Sequence, residues 1–306
     1  MTKRRIAVIG LGDIAQKAYL PVLSRHPKIE IVSVMSRRQE TVDRIRAEYR
    51  FPAGGTDLGQ LLEAEPEAVF IHAPTEAHTE LVLGCLRRGL HVYVDKPLSY
   101  DIRESRAMAE EALARGLLLA VGFNRRFAPF YQQARNHVRD AGGIEYAVAE
   151  KHRIRQQKHD AKRTLYDDLI HMLDLLVWLA GEEPAVVGKS LRIDSEGRLL
   201  HASGGVESGR FTAQFAMNRA AGSDLERLSL YGSGHTAEIV NLEQGILSSV
   251  TSGERSIRFG SWDSVLERRG FVGVIDHFLK SLDKPEGCEI RADLTLPTHR
   301  LVEKLL

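Results

Sequence analysis

Ile6-Ala7-Val8-Ile9-Gly10-Leu11-Gly12-Asp13-Ile14-Ala15, close to the start of this 306-residue chain, decides how the rest is read. Ile6–Ile9 is a short β-branched run, and Ile14–Leu23 carries a helical pattern, so the GxGxxA string between them is a strand-to-helix turn. Gly10 permits the tight turn, Gly12 removes a Cβ where backbone must approach a pyrophosphate, and Ala15 lets the helix pack close to the strand. Backbone N–H groups over Gly10, Gly12, Asp13, Ile14 and Ala15, together with the helix dipole, are then placed to hold an anion. The turn reads as a dinucleotide-binding turn.

Working outward, short apolar runs alternate with helical patterns as far as Val121, which is how a parallel sheet with crossover helices reads. Strands are expected at Ile6–Ile9, Ile29–Met35, near Pro52–Gly54, and at Ala68–His72, His91–Val94 and Leu117–Val121. Asp101 with Glu104 has capping-box spacing, and Gly89 and Gly116 stand where helices end. The expectation is an α/β fold: a doubly wound parallel Rossmann domain over residues 1–122.

After Gly122 the character changes. A helix near Pro129–Ala141 leads to a strand at Glu145–Ile154, then to a very apolar helix at Asp167–Ala180. Alternating segments at Leu199–His201, Arg210–Met217, Arg227–Tyr231 and Ala237–Val240 follow, joined by Gly/Ser turns. They read as one large antiparallel sheet, so residues 123–306 are expected to form an α+β domain for substrate binding and oligomerisation. Arg155–Arg163 is polar and basic, an exposed loop.

Composition sets the outer limits. With 43% apolar and 27% charged residues the chain is ordinary globular material, and 42 Lys and Arg against 41 Asp and Glu leave no field to hold nucleic acid or an anionic membrane surface. No apolar run reaches the length of a membrane span or a signal peptide. Cys85 and Cys288 are far apart and show no metal-ligand spacing, which suits a reducing, cytoplasmic setting and no bound metal. His137, His152, His159, His201 and His235 are scattered singly and receive no role.

Cofactor choice is read at the end of the second strand, where NAD enzymes place an Asp or Glu on the ribose. Here stand Ser36-Arg37-Arg38. A hydroxyl and two guanidinium groups suit the 2′-phosphate of NADP; if both arginines simply face water, NAD remains possible.

Three more strings follow strand ends: Ala73-Pro74-Thr75-Glu76-Ala77-His78, Asp95-Lys96-Pro97 and Gly122-Phe123-Asn124-Arg125-Arg126-Phe127. Together they resemble the Gfo/Idh/MocA oxidoreductases over the whole chain, nearest to the MviM/YceM-type branch. The resemblance implies cofactor contacts from Ala73, Pro74, Thr75, His78, Asp95, Lys96 and Asn124, with Pro74, Thr75 and Asn124 lining the nicotinamide ribose and ring. It also implies that Lys96 reaches the nicotinamide edge and the substrate oxygen. Asp95 replaces the usual Glu of the family's Glu-Lys-Pro motif.

The apolar helix carries a polar stripe of Asp167, Asp168, His171 and Asp174, on one face by spacing. Charge on a buried helix needs partners or a wet cleft. The resemblance matches Asp167 and His171 to the family's Asp-x-Gly-x-His motif, with Leu169 where Gly is usual, and implies that His171 is the acid/base and Asp167 its orienting carboxylate. Asp168 is a rival to Asp167, and Asp174 reads better as part of a structural network.

The function expected is hydride transfer between NAD(P) and a sugar, polyol or related hydroxy/oxo compound, by a homodimer or homotetramer. Two other classes compete. A dinucleotide-binding sensor has no need of both Lys96 and His171, and an NAD-dependent glycosidase of the same fold would hold its cofactor without exchange.

Overall fold

Arg4–Ile9 (β1) runs up the middle of a six-stranded parallel sheet with Ile29–Met35 (β2), Gly54–Gly55 (β3), Ala68–Ile71 (β4), His91–Val94 (β5) and Leu119–Val121 (β6). The order β3-β2-β1-β4-β5-β6 is that of a doubly wound dinucleotide fold, with its topological switch between β1 and β4. Continuous burial of Ile6–Ile9 and Ala68–Ile71 reflects helices on both faces, which makes central parallel strands apolar throughout. The computed structural model describes residues 3–306. Its packing divides the chain into two units: the part up to Gly122 with Val274–Leu296, and Phe123–Gly273 with Pro297–Leu306.

Four strand expectations in the first unit change: β1 begins at Arg4 rather than Ile6, and β4 ends at Ile71 rather than His72. The segment near Pro52–Gly54 contributes only Gly54–Gly55, where a Cβ at either glycine would run into neighbouring side chains. The last strand starts at Leu119 rather than Leu117. Asp101 caps the helix Ile102–Ala114 by accepting from the Arg103 N–H, while Glu104 accepts from Ser99 Oγ and Thr79 Oγ1.

The second unit is built on an eight-stranded sheet: Tyr146–His152 (β7), Ala185–Ile193 (β8), Leu199–Ser208 (β9), Phe211–Asn218 (β10), Leu225–Gly232 (β11), His235–Val240 (β12), Gln244–Ser249 (β13) and Gly253–Arg258 (β14). Its order is β14-β13-β12-β11-β7-β10-β9-β8. The sheet is not wholly antiparallel: β7 and β10 pair in parallel, across a connection long enough to hold a helix. Strands β8, β13 and β14 were not expected. Ala185–Ile193 is mostly exposed and Gly253–Arg258 is a polar edge, so neither shows a core-facing alternation.

The polar segment expected as a loop over Arg155–Arg163 is irregular only up to Asp160. The Asp160 side chain then accepts from the Arg163 N–H and caps a turn, Ala161–Thr164. A π-helical turn, Leu165–Leu169, follows, and the α-helix proper is Ile170–Ala180, not Asp167–Ala180. Gly181, at φ +79°, ends it in the left-handed region.

Candidate active site

At the switch between β1 and β4 the chain leaves no room for side chains. Gly10 has φ +86°, and a Cβ there would lie 2.5 Å from the Ala73 nitrogen, so the turn and the Ala73-Pro74-Thr75 string meet at this residue. Gly12 differs: a Cβ on it would meet no protein atom within 4 Å. Ala15 is fully buried, whereas Asp13 and Ile14 are exposed, with Asp13 paired to Lys17 at 2.5 Å. A packed Gly10 and Ala15 around an open Gly12 is the shape a pyrophosphate requires.

Ser36 is half-buried, and Arg37 and Arg38 are exposed before the helix Gln39–Tyr49. Neither guanidinium is hydrogen-bonded or ion-paired to another described residue. Two uncommitted cations thus stand at the end of β2.

His78 ties two of the family strings together. Its Nε2 lies 3.0 Å from the Ala73 carbonyl and its Nδ1 3.0 Å from the Pro97 carbonyl, in a ring only 1% exposed. Burial pushes His78 below the ordinary histidine range, against the pull of Asp95 and these carbonyls. Its geometry is that of a clamp on the backbone flanking Pro74–Thr75 and Lys96. Asp95 Oδ1 accepts from the Lys96 N–H at 2.9 Å, and burial raises its carboxyl while Lys96 opposes that rise. Lys96 is half-buried. The Tyr19 and Tyr93 hydroxyls, 2.9 Å apart, sit beneath Gly122, where a Cβ would lie 2.8 Å from Tyr93 and 3.1 Å from Asp95. His72, stacked on Tyr19 at 3.9 Å, is pushed by burial down to about 3 and packs as a neutral ring.

In the second unit the Asn124 amide donates to the Arg269 carbonyl at 2.9 Å. Gly270, at φ +82°, follows so closely that a Cβ would lie 2.1 Å from the Asn124 backbone carbonyl oxygen, which pins this loop to the Asn124 turn. Arg126 holds Asp174 in a bidentate pair at 2.9 and 2.6 Å, and Thr298 donates to the same carboxylate at 3.0 Å. Asp174 is fully buried. It is a structural residue, as its position in the stripe suggested, and it fastens the helix to its own unit.

His171 opens the helix Ile170–Ala180 and is 8% exposed; Asp167 lies four residues earlier and is half-buried. Asp168 is committed elsewhere. It accepts from Lys151 Nζ at 2.6 Å and from Arg219 Nη1. Burial would raise the Asp168 carboxyl, but Lys151, Arg153 and Arg219 hold it well below the usual carboxylate range.

Behind Asp168 lies a group of charges that the sequence reading missed. Arg125 pairs with Glu226 at 2.6 Å, and Arg153 stands 3.8 Å from Asp168 and 3.9 Å from Glu226. Burial brings the Lys151 ammonium down to about 8 against the pull of Asp168 and Glu226. A signal was available: Lys151 shares the buried phase of β7 with Ala147 and Ala149, and Glu226 that of β11 with Leu228 and Leu230. Charged residues at inward positions need a reason.

Comparison with known proteins shows the family. Residues 4–123 match the model of the oxidoreductase family with an NAD-binding Rossmann fold, and residues 129–248 match the YceM-like C-terminal domain. The chain belongs to the Gfo/Idh/MocA family of NAD(P)-binding oxidoreductases. It is 32% identical to YceM of Salmonella typhimurium, covering 100% of this chain and 98% of that protein. The solved structure of a dehydrogenase, MviM, from Clostridium difficile superposes with a TM-score of 0.91 at 29% identity, over 99% of this chain and 98% of that one. A further relative, at 28% identity over 79% of this chain and 72% of its own length, is the scyllo-inositol 2-dehydrogenase (NAD+) of Bacillus subtilis.

Proposed function

We propose that this oxidoreductase uses NADP to interconvert a carbinol and a carbonyl on a sugar, polyol or related hydroxy/oxo compound. The observation that carries the reading is the open space over Gly12 between a packed Gly10 and Ala15, in a family whose members include an inositol dehydrogenase. The uncommitted Arg37 and Arg38, with Ser36, support NADP over NAD.

When bound, the nicotinamide exchanges hydride at C4. The chain supplies the rest. His171 takes the hydroxyl proton during oxidation and returns it during reduction, and Asp167 fixes its tautomer. Lys96 polarises the substrate oxygen, with Asp95 and the His78 clamp setting the backbone that presents it. Pro74, Thr75 and Asn124 border the nicotinamide.

A screen of sugars, inositols and their oxidised forms, read at the reduced-nicotinamide absorbance, tests this; no oxidation or reduction of cofactor with any member would count against it. Lys96→Ala and His171→Ala are each expected to slow turnover by roughly 10²–10⁴-fold while cofactor binding persists. The double variant should sit near the worse single one, because both act on one oxygen. Full additivity would sink the shared-oxygen role.

Subunit pairing through the second sheet belongs to the same proposal, supported by exposed Val187, Ile193 and Ile246 on its strands. Light scattering at the 34.2 kDa monomer mass across a concentration series would contradict it. Among the described residues no helix is long and apolar enough to cross a membrane. Both thiols are buried and pushed up, Cys85 to about 12 and Cys288 to about 11, which fits a reducing interior.

A further inference from the structure

The second unit holds more positive charge than its own carboxylates neutralise. Arg125, Lys151 and Arg219 are 6%, 2% and 5% exposed, and Arg153 stands beside them. The carboxylates within 4.0 Å of these four cations, among the described residues, are Asp168 and Glu226. A fifth cation, Arg269, reaches solvent next to Arg125 and Arg153; it makes no ion pair within 4.0 Å among the described residues and feels Glu226 only at longer range. A network that served only to brace the fold would close near neutrality, because buried unpaired charge is expensive. This one does not close. The buried Nε of Arg219 also lacks a hydrogen-bond partner.

We propose that this cluster binds an oxyanion, the carboxylate or phosphate of an acidic hydroxy substrate. The proposal rests on the functional reading above and narrows its substrate class. Asp168 joins the cluster to the acid/base: it lies three residues before His171, on the same helical run, with Lys151 and Arg219 on its two oxygens. An anion held here is therefore anchored one helical turn from the group that moves the hydroxyl proton. Arg153 and Arg269 are the contacting side chains. Arg153 is 3.8 and 3.9 Å from its carboxylates, too long for hydrogen bonds, and its Nη1 donates to the His152 carbonyl at 3.0 Å, so its guanidinium can turn to an incoming oxyanion by giving up at most that one bond and no close ion pair. Arg269 is held in place through its carbonyl by Asn124. Lys151 and Arg219, deeper, supply the field.

The test uses calorimetric titration of the full chain with glucose 6-phosphate, glucuronate and glucose, at low and high salt, without turnover. We expect one or both acids to bind about 10–100-fold more tightly than glucose and to weaken with salt. Tight binding of the phosphate alone or of the carboxylate alone identifies the oxyanion. The Arg153→Gln/Arg269→Gln variant, altered only at the outer side chains, should lose this preference. Equal affinity for glucose and the acids, no binding of either acid, or a preference that survives in the variant would overturn the proposal; survival would place the anion at another site, the phosphate turn included. Hydride transfer is scored separately by cofactor absorbance. Acid binding without turnover supports the anion site and counts against the dehydrogenase reading, whereas turnover of a neutral polyol without acid preference does the reverse.

Discussion

Lys151 on β7 stands directly opposite Glu226 on β11 in the antiparallel ladder, yet its ammonium closes on Asp168 at 2.6 Å and stays 4.0 Å from Glu226. Glu226 is left to Arg125, which holds it through two nitrogens at 2.6 and 3.2 Å. The cross-strand pair is thus split between a helix and a turn. Both elements are fastened to the sheet by charge rather than by apolar packing alone.

The stability of the second unit should accordingly fall in acid. Burial would raise Glu226, but Arg125 and Lys151 bring it down to about 2 from an ordinary 4.5. A depressed carboxylate contributes stability that is present above its unfolded pKa and lost as pH falls through the folded one, so the loss runs from about pH 4.5 to about 2. Its size is on the order of 3 kcal/mol. Urea unfolding at pH 7, 4 and 2.5 measures it, and Glu226→Gln should flatten the curve. An unchanged acid limb in that variant would mean that other carboxylates set it.

Asp174→Ala should destabilise the chain by about 3–5 kcal/mol, since it leaves the buried Arg126 guanidinium without its bidentate partner. Thermal unfolding reads this directly. A loss of less than about 1 kcal/mol would show that Arg126 finds another partner or reaches water.

Gly12→Val is expected to abolish dinucleotide binding while leaving the melting temperature of the cofactor-free protein nearly unchanged. The new side chain would enter space that holds no protein atom within 4 Å and that the pyrophosphate would need. Gly10→Val should instead unfold the turn, because its Cβ would lie 2.5 Å from Ala73. Cofactor affinity retained in the Gly12 variant would refute the assignment.

Replacing Arg37 and Arg38 together by Ala should weaken NADP by about 10–100-fold and NAD by far less, because only NADP carries the 2′-phosphate. Both side chains are exposed and make no bond to another described residue, so stability should not change. Equal losses for the two cofactors would mean that the arginines only face water.

What the sequence determined by itself is whatever short-range patterning encodes. The run Ile6–Ile9, the glycines at 10 and 12 and the alternation of apolar strands with capped helices suffice for a doubly wound sheet, because parallel strands covered on both faces must be apolar and a phosphate turn must lack side chains. Asp174 could be read as structural from its place on a buried helix, but not its partners, since Arg126 and Thr298 lie 48 and 124 residues away. Tertiary structure alone decided that β7 pairs in parallel with β10, that exposed segments such as Ala185–Ile193 and Gly253–Arg258 are strands, and that Asp168 is taken up by Lys151 and Arg219. Edge strands draw their stability from hydrogen bonds to a neighbour rather than from a buried face, so their sequences carry little periodicity. Charge pairing between Arg125, Lys151, Arg219 and their carboxylates depends on distance in space, which no local spacing records.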